Sequence, residues 1–255
     1  MRGRAALAVA AAALAFAPAG CDRMPGAKAA EKTALRPDQI TDFRALYAAN
    51  CQACHGANGQ NGPAIDLANP EYQALVDDAT LRNTVAKGMP GTEMPAFAQS
   101  AGGMLTDEQV DAIVAGMRKE WRKANAFGGA TPPAYAQDGA GNEQHGHELY
   151  EQRCSICHQQ PARQQVTSPV YLSLVSDQAL RTIVIAGRPD IGQPDWRLKP
   201  APGNREPPVV LAYLTKAGPP TPLAAQDVTD IITYLHTLRN PDAISAAPAP
   251  RTPRR

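Results

Sequence analysis

Two pentapeptides in this sequence combine thiols and an imidazole at one fixed spacing. They are Cys51-Gln52-Ala53-Cys54-His55 and Cys154-Ser155-Ile156-Cys157-His158. Two thiols at this spacing can form thioether bonds with the two vinyl groups of one porphyrin, and the histidine that follows can bind its iron. The pattern predicts two haem c groups, held covalently by Cys51, Cys54, Cys154 and Cys157, with His55 and His158 as proximal iron ligands.

Four other interpretations of such a motif are open: chance, a thiol–disulfide redox pair, a zinc site and a structural disulfide. The second copy of the motif favours haem, because both copies lie in the same surrounding pattern. An export signal at the N-terminus also favours haem, since the thioether bonds are made outside the cytoplasm.

The N-terminal residues have the pattern of a signal peptide. Arg2 and Arg4 precede an apolar segment, residues 5–17, which is shorter than a membrane span. We expect residues 1–20 to be removed and the protein to be exported to the periplasmic side of the cytoplasmic membrane. No other stretch is apolar enough to cross a membrane.

The fifth cysteine, Cys21, stands directly after this leader. Ala19-Gly20-Cys21 resembles the end of a bacterial lipobox, which predicts lipidation of Cys21 and attachment to the membrane, although Pro18 occupies the usual leucine position. Ala17-Pro18-Ala19 offers the alternative of ordinary cleavage and a soluble product. The formal net charge of +1 gives no indication of nucleic-acid binding.

Hydrophobic periodicity predicts helices on both sides of the first motif. We expect a helix over 36–50, starting near Asp38 or Thr41, a helical stretch over 70–87 that Gly88 ends, and a closing helix that starts at Thr106. The apolar stripe of the closing helix is Val110, Ile113, Val114 and Met117, and Arg118 beside it is expected to face solvent.

The same order of motif and predicted helices repeats after a segment rich in Gly, Pro, Ala, Gln and Asn. Pro70, Tyr72 and Gly88 recur as Pro169, Tyr171 and Gly187 at a constant offset of 99, and the closing stripe recurs from Val228 at an offset of 118. The increase of the offset from 99 to 118 reflects a proline-rich insertion at about 197–222. Internal repetition of this kind predicts two homologous domains in tandem.

Each repeat resembles a class I c-type cytochrome domain: a helix leading into CxxCH, a middle helix, a loop with methionine beside proline, and a closing helix. The resemblance implies an all-α fold with one haem per domain. The predicted organisation is a signal peptide (1–20), a tether (21–36), domain 1 (37–122), a linker (123–145), domain 2 (146–239) and a disordered tail (240–255).

For the first haem the resemblance implies Met94 as the distal iron ligand, because Met94-Pro95-Ala96-Phe97 is similar to the family's Met-Pro loop. Met89 also precedes a proline and is the rival candidate, and Met104 is more remote. A thioether ligand favours ferrous iron and raises the reduction potential.

The second repeat departs from this pattern, because the chain contains no methionine after Met117. The offset of 99 aligns Gln193 with Met94 and Trp196 with Phe97. Gln193 could bind iron through its amide oxygen, or the sixth position could hold water or a ligand from another subunit. A histidine is the third possibility, and the candidates are His145, His147 and His236. We interpret Trp196 and Phe97 as haem-packing residues, and Tyr47 and Tyr150 as core.

These features predict a dihaem cytochrome that carries single electrons from a quinol-oxidising complex to a terminal oxidase or another acceptor, as a free carrier or as a complex subunit. The alternative is a haem enzyme or gas sensor that uses the second haem, with Asp190 or Asp195 as the nearest acid–base candidates. A third class is a structural subunit whose second domain serves mainly for docking.

Overall fold

The structure is a computed structural model that describes residues 35–159, 164–198, 221–240 and 242. Regular structure in these ranges is helical and contains no strand, which confirms the all-α prediction. None of the described helices is long and apolar enough to span a bilayer. The predicted signal peptide and Cys21 lie outside the described residues, as do most of the proline-rich insertion and most of the tail.

The helices fall into two runs along the chain. Residues 38–122, called the first half below, contain α1 (Phe43–Asn50), α2 (Gln52–His55), α3 (Pro70–Leu75), α4 (Asp78–Lys87) and α5 (Asp107–Trp121). Residues 143–240, called the second half, contain α6 (Glu143–Arg153), α7 (Ser155–His158), α8 (Pro169–Leu174), α9 (Asp177–Ala186) and α10 (Ala225–Thr237). Helix α6 begins inside the segment predicted as linker.

The helix boundaries repeat with the offsets found in the sequence. Helices α3 and α4 recur as α8 and α9 at an offset of 99, and the first residue of α5 recurs as that of α10 at an offset of 118. Helix α5 packs against α1 and α4, and α10 packs against α6 and α9. Helix α3 of the first half also packs against α9 of the second.

The first helix is shorter than predicted. It begins at Phe43 because Asp42 is its N-cap, whose carboxylate accepts a hydrogen bond from the backbone N–H of Ala45 at 2.8 Å. The residues before it form only a 3₁₀ turn at Pro37–Gln39. The predicted start at residues 36–38 is therefore wrong, whereas Thr41 lies directly before the N-cap.

The helical stretch predicted over 70–87 is two helices. Val76 is extended, and the carboxylate of Asp77 caps α4 by accepting a hydrogen bond from the N–H of Thr80 at 2.6 Å. A competing capping residue thus ended the first helix. Gly88 ends α4 as expected, with φ +68°.

The closing helix α5 begins as predicted. Thr106 and Gln109 form a reciprocal capping box, and the predicted apolar stripe is buried. The expectation that Arg118 faces solvent is wrong, because its side chain is only 11% exposed. Its guanidinium donates to the backbone carbonyls of Gln73 and Val76, which are unpaired acceptors at the end of α3, and pairs with Asp78.

Each half has its own group of buried apolar side chains. Tyr47 and Tyr150 are 3% and 4% exposed in these groups, which supports their interpretation as core. The first group includes Leu46, Tyr72, Leu81, Val85, Val110, Ile113 and Met117, and the second includes Leu172, Leu180, Ile185, Trp196, Val228, Ile231 and Leu235. Leu75 of the first half packs on the second group, and Ala186 of the second half belongs to the first.

Candidate haem sites

Both cysteine motifs occupy the same structural position. Helix α1 ends at Asn50, and Cys51 begins the short helix α2, which ends at His55. Helix α6 leads in the same way through Cys154 into α7, which ends at His158. The four cysteines carry no disulfide.

The thiol environment argues against a redox dithiol. Burial, with a smaller effect of Cys54, raises the pKa of Cys51 to about 11, and burial likewise raises the pKa of Cys154. Thiol–disulfide exchange needs a lowered thiol pKa, because the thiolate is the nucleophile. Among the described residues no group of three His, Cys, Asp or Glu side chains could hold a metal ion, so a zinc site has no support there either.

His55 is arranged as a neutral imidazole whose second nitrogen is available to a metal. Its Nδ1 lies 2.8 Å from the carbonyl oxygen of Ile65, so Nδ1 carries the proton and Nε2 keeps its lone pair. Burial lowers the pKa of His55, the Ile65 bond opposes this, and the nearby Arg188 cation adds to the lowering. A histidine that donates its second N–H to a carbonyl is typical of metal ligation.

His158 is half-buried at the end of α7. It takes the position that His55 has at the end of α2. Residues 160–163, which follow this helix closely, lie outside the described part of the chain.

Met94 lies in a loop that is built around a glycine. A Cβ placed on Gly88 would lie 2.6 Å from the Met94 carbonyl oxygen and 2.5 Å from the Pro95 carbonyl carbon, so the loop requires glycine there. The N–H of Met89 donates to the Met94 carbonyl at 3.0 Å. The Met94 side chain is half-buried, whereas Met104 is 82% exposed.

Gln193 lies in the same kind of loop. A Cβ on Gly187 would lie 2.9 Å from both the Gln193 carbonyl oxygen and the Pro194 carbonyl carbon. The N–H of Arg188 donates to the Gln193 carbonyl at 3.0 Å, as that of Met89 does to Met94. The structural match supports the alignment of Gln193 with Met94. The side-chain amide of Gln193 donates to the Ile183 carbonyl at 3.4 Å, and its role as an iron ligand stays a prediction.

The histidines considered as alternative ligands lie on helices and have other contacts. His145 lies 2.7 Å from a carboxylate oxygen of Asp230 on α10. His147 stacks on Tyr234, with ring centroids 4.7 Å apart. His236 is exposed on α10 and contacts Asp177 at 2.9 Å.

The two aspartates considered as acid–base candidates are held in ion pairs. Asp190 pairs with Arg188, and its side chain is fully buried. Burial opposes the ionisation of Asp190, but hydrogen bonds from Arg188 and from the N–H of Asn61 outweigh it and lower its pKa. Asp195 pairs with Arg197. Both carboxylates are therefore occupied by arginine.

Trp196 offers a test of whether the second half suits a haem. The indole is 7% exposed, and its Nε1 has no hydrogen-bond partner among the described residues. A buried N–H without an acceptor costs about 1–3 kcal/mol. A haem propionate could accept this hydrogen bond, so the residues present fit a bound haem: Cys154 and Cys157 for attachment, His158 and Gln193 for the iron, and Trp196 for a carboxylate.

Two arginines that join the halves are not indicated by the sequence pattern. Arg188 donates to the carbonyls of Gly62 and Ala64, and Arg197 donates to the carbonyl of Phe127 and pairs with Glu71. The one sequence feature that could have indicated this contact is Arg188 itself, which the offset of 99 aligns with the apolar Met89. Asn69 adds a further link, because its side chain donates to the Ala186 carbonyl at 2.9 Å.

Comparison with known proteins identifies the first half. Residues 38–115 match the family described as cytochrome c oxidase, cbb3-type, subunit III. Over 73 residues the chain is 41% identical to the dihydro-heme d1 dehydrogenase of Pseudomonas aeruginosa, and the match covers 28% of this chain and 13% of that protein.

Two solved structures are also similar. The KustC0563 c-type cytochrome is 30% identical, covers 32% of this chain and 99% of its own, and has a TM-score of 0.28. The Kuenenia stuttgartiensis reducing HAO-like protein complex Kustc0457/Kustc0458 is 15% identical. The match covers 81% of this chain and 100% of that chain, with a TM-score of 0.41.

The motif, the histidine geometry and the helical fold define a site for covalent haem c. Residues 38–115 are a cytochrome c domain similar to subunit III of cbb3-type oxidases. The match therefore indicates a haem-binding electron-transfer domain in this part of the chain.

Proposed function

We propose that this protein is a dihaem c-type cytochrome that transfers single electrons on the periplasmic side of a bacterial membrane. It takes electrons from a quinol-oxidising complex and delivers them to a terminal oxidase or another acceptor, as a free carrier or as a subunit. The leader pattern supports export, and Cys21 is the proposed lipid anchor. Haem c, when bound, supplies a one-electron couple between ferric and ferrous iron.

The observation that carries the proposal is the structural repetition of the first site in the second half. A helix leads into CxxCH in both halves. The loops that follow Gly88 and Gly187 and contain Met94 and Gln193, here called the ligand loops, both fold against that glycine, which has positive φ. Such a match is expected if both halves bind the same prosthetic group.

The ion-paired carboxylates favour electron transfer over catalysis. A peroxidase-like site needs an acid or base that can exchange protons beside the open iron position. Asp190 and Asp195 contact Arg188 and Arg197 in ion pairs, so neither carboxylate is free to serve as that acid or base. Electron transfer needs no such group.

A reactive second haem is the alternative function. Its support is that no methionine follows Met117 in the sequence. The Pseudomonas relative is named a dehydrogenase, but only 13% of that protein corresponds to this chain.

A spectroscopic redox titration of the haem-loaded protein, with carbon monoxide added to the reduced form, separates the two functions. Two potentials and no carbon monoxide binding would support a carrier with two six-coordinate haems. Rapid binding of carbon monoxide at the haem of lower potential would favour the alternative.

The variant Gln193→Met tests the ligand of the second haem. An amide oxygen is a harder donor than a thioether and favours ferric iron, so Gln193→Met is expected to raise the potential of the second haem and leave the first nearly unchanged. An unchanged titration curve would remove Gln193 from the ligand set.

A further inference from the structure

The side chain of Arg188 extends from the ligand loop of the second half into the first half. Its Nη1 donates to the Ala64 carbonyl at 2.8 Å, and its Nη2 donates to the Gly62 carbonyl at 3.0 Å. The side chain is 7% exposed. A planar guanidinium that binds two carbonyls fixes their relative orientation, which a lysine cannot do equally well.

The segment that Arg188 binds lies directly against the first haem-binding motif. The N–H of Ala64 donates to the Cys54 carbonyl at 3.0 Å. A Cβ on Gly62 would lie 2.3 Å from that same carbonyl oxygen, so the backbones are in close contact. The next carbonyl along the chain, that of Ile65, accepts the hydrogen bond of His55 Nδ1. Arg188 therefore holds the peptide segment whose end orients His55.

Asp190 completes the contact from the second half. It accepts two hydrogen bonds from Arg188, at 2.8 and 2.7 Å, and one from the N–H of Asn61 at 2.8 Å. The cation and the anion thus bind successive parts of one segment, residues 61–64. Such a buried pair is costly unless its remaining hydrogen-bonding groups are satisfied, and here the segment satisfies them.

The first half has no equivalent of this arginine. The offset of 99 aligns Arg188 with Met89, and Pro189 with Pro90. The backbone hydrogen bond to the ligand loop is the same at both positions, whereas the buried cation is present only at Arg188.

We infer that Arg188 is a positioning residue for His55, through which the ligand loop of the second half sets the reduction potential of the first haem. The inference rests on the proposed function only in taking His55 as an iron ligand. Arg188 acts by orienting the Ile65 carbonyl that accepts the hydrogen bond from the N–H at His55 Nδ1. It also places positive charge beside the imidazole, which favours the ferrous state.

Opposite changes in charge distinguish this role from simple support of the fold. Arg188→Gln removes the cation and leaves Asp190, so the potential of the first haem is expected to fall. Asp190→Asn removes the anion and leaves Arg188, so the same potential is expected to rise. Loss of packing alone would move both variants in the same direction.

The experiment is a redox titration of the full-length haem-loaded variants, with NMR of the His55 Nδ1 proton to assign the first haem. Arg197→Gln is the matched control, because Arg197 also links the halves but contacts Phe127 and Glu71. It is expected to leave the first potential unchanged. Arg188→Lys keeps the positive charge. Its first haem is therefore expected to have a potential close to that of the wild type, whereas the NMR signal of the His55 Nδ1 proton is expected to change.

Equal potentials in the wild type and both charge variants, or shifts of the same sign, would overturn the inference. If Arg188→Gln fails to retain haem, Asp190→Asn and Arg188→Lys still decide it. The haem content of the wild type is a separate readout: one haem in place of two would contradict the proposed function and leave the effect of Arg188 on the first haem to be measured.

Discussion

Arg239 occupies in the second half the place that Arg118 occupies in the first. Arg239 donates to the carbonyls of Leu172 and Val175 at the end of α8, as Arg118 does to the matching carbonyls at the end of α3. Both arginines pair with the first residue of the next helix, Asp177 or Asp78. The offset of 118 aligns Arg118 with His236. Arg239 lies three residues after His236, which is about one helical turn.

We expect Arg239→Gln to lower the free energy of unfolding by about 1–3 kcal/mol, because the carbonyls at the end of α8 would lose a charged donor. Denaturant unfolding of the haem-loaded protein measures this change. Arg122→Gln is the control, because Arg122 is exposed and lies 4.0 Å from Asp78, and such surface pairs contribute little. Equal effects of the two substitutions would contradict a structural role for Arg239.

Gly88→Ala is expected to displace the loop that carries Met94. The added Cβ would collide with the carbonyls of Met94 and Pro95. Gly91→Ala is a matched control, since Gly91 also has positive φ, +75°, but its Cβ would meet nothing within 4 Å. Both substitutions carry a backbone cost of about 1–3 kcal/mol.

The absorption band of the methionine–ferric iron bond distinguishes these two glycine variants. Only Gly88→Ala is expected to weaken it, because only that substitution moves the loop. Loss of the band in both variants would show that backbone strain alone disturbs the loop. An unchanged band in Gly88→Ala would argue against Met94 as the ligand.

Asp66 gives the protein a pH-dependent stability. The side chain is 3% exposed and one of its oxygens has no partner among the described residues. Burial, helped by the charge of Asp190 and opposed by Arg188, raises the pKa of Asp66 to about 6. The carboxylate is thus more costly to ionise in the folded protein than in the unfolded chain, and this cost grows as the pH rises from about 4 to about 6.

Asp66→Asn is therefore expected to stabilise the protein relative to wild type above about pH 6, by an amount on the order of 2–3 kcal/mol. The difference should shrink as the pH falls towards 4, where both side chains are neutral. Unfolding free energies measured at several pH values test this. A difference independent of pH would contradict the raised pKa of Asp66.

The sequence predicted several features that depend on local chemistry. The CxxCH motifs, the capping box at Thr106 and the glycine that ends α4 each act over a few residues, and the structure has them where expected. The internal offset of 99 also anticipated that Gln193 would share the loop geometry of Met94, because repeated spacing reflects repeated backbone structure.

Long-range contacts explain what the sequence did not predict. Arg118 lies on the polar side of a periodic helix, yet it is buried because α3 ends against it with unpaired carbonyls. Arg188 appears in the sequence as an ordinary loop cation, and its partners lie more than a hundred residues earlier in the chain. One local feature was also missed, because the capping of α4 by Asp77 divides a helical stretch that periodicity alone predicted as continuous.

The number of covalently bound haems tests the central claim most directly. Intact-mass spectrometry of the protein matured in a cell that attaches haem c is expected to give the mass of the polypeptide plus two haems. Replacing Cys51 and Cys54 by alanine, or Cys154 and Cys157, should leave one haem in each case. A single haem in the wild type, and still a single haem when Cys154 and Cys157 are replaced, would contradict the dihaem account.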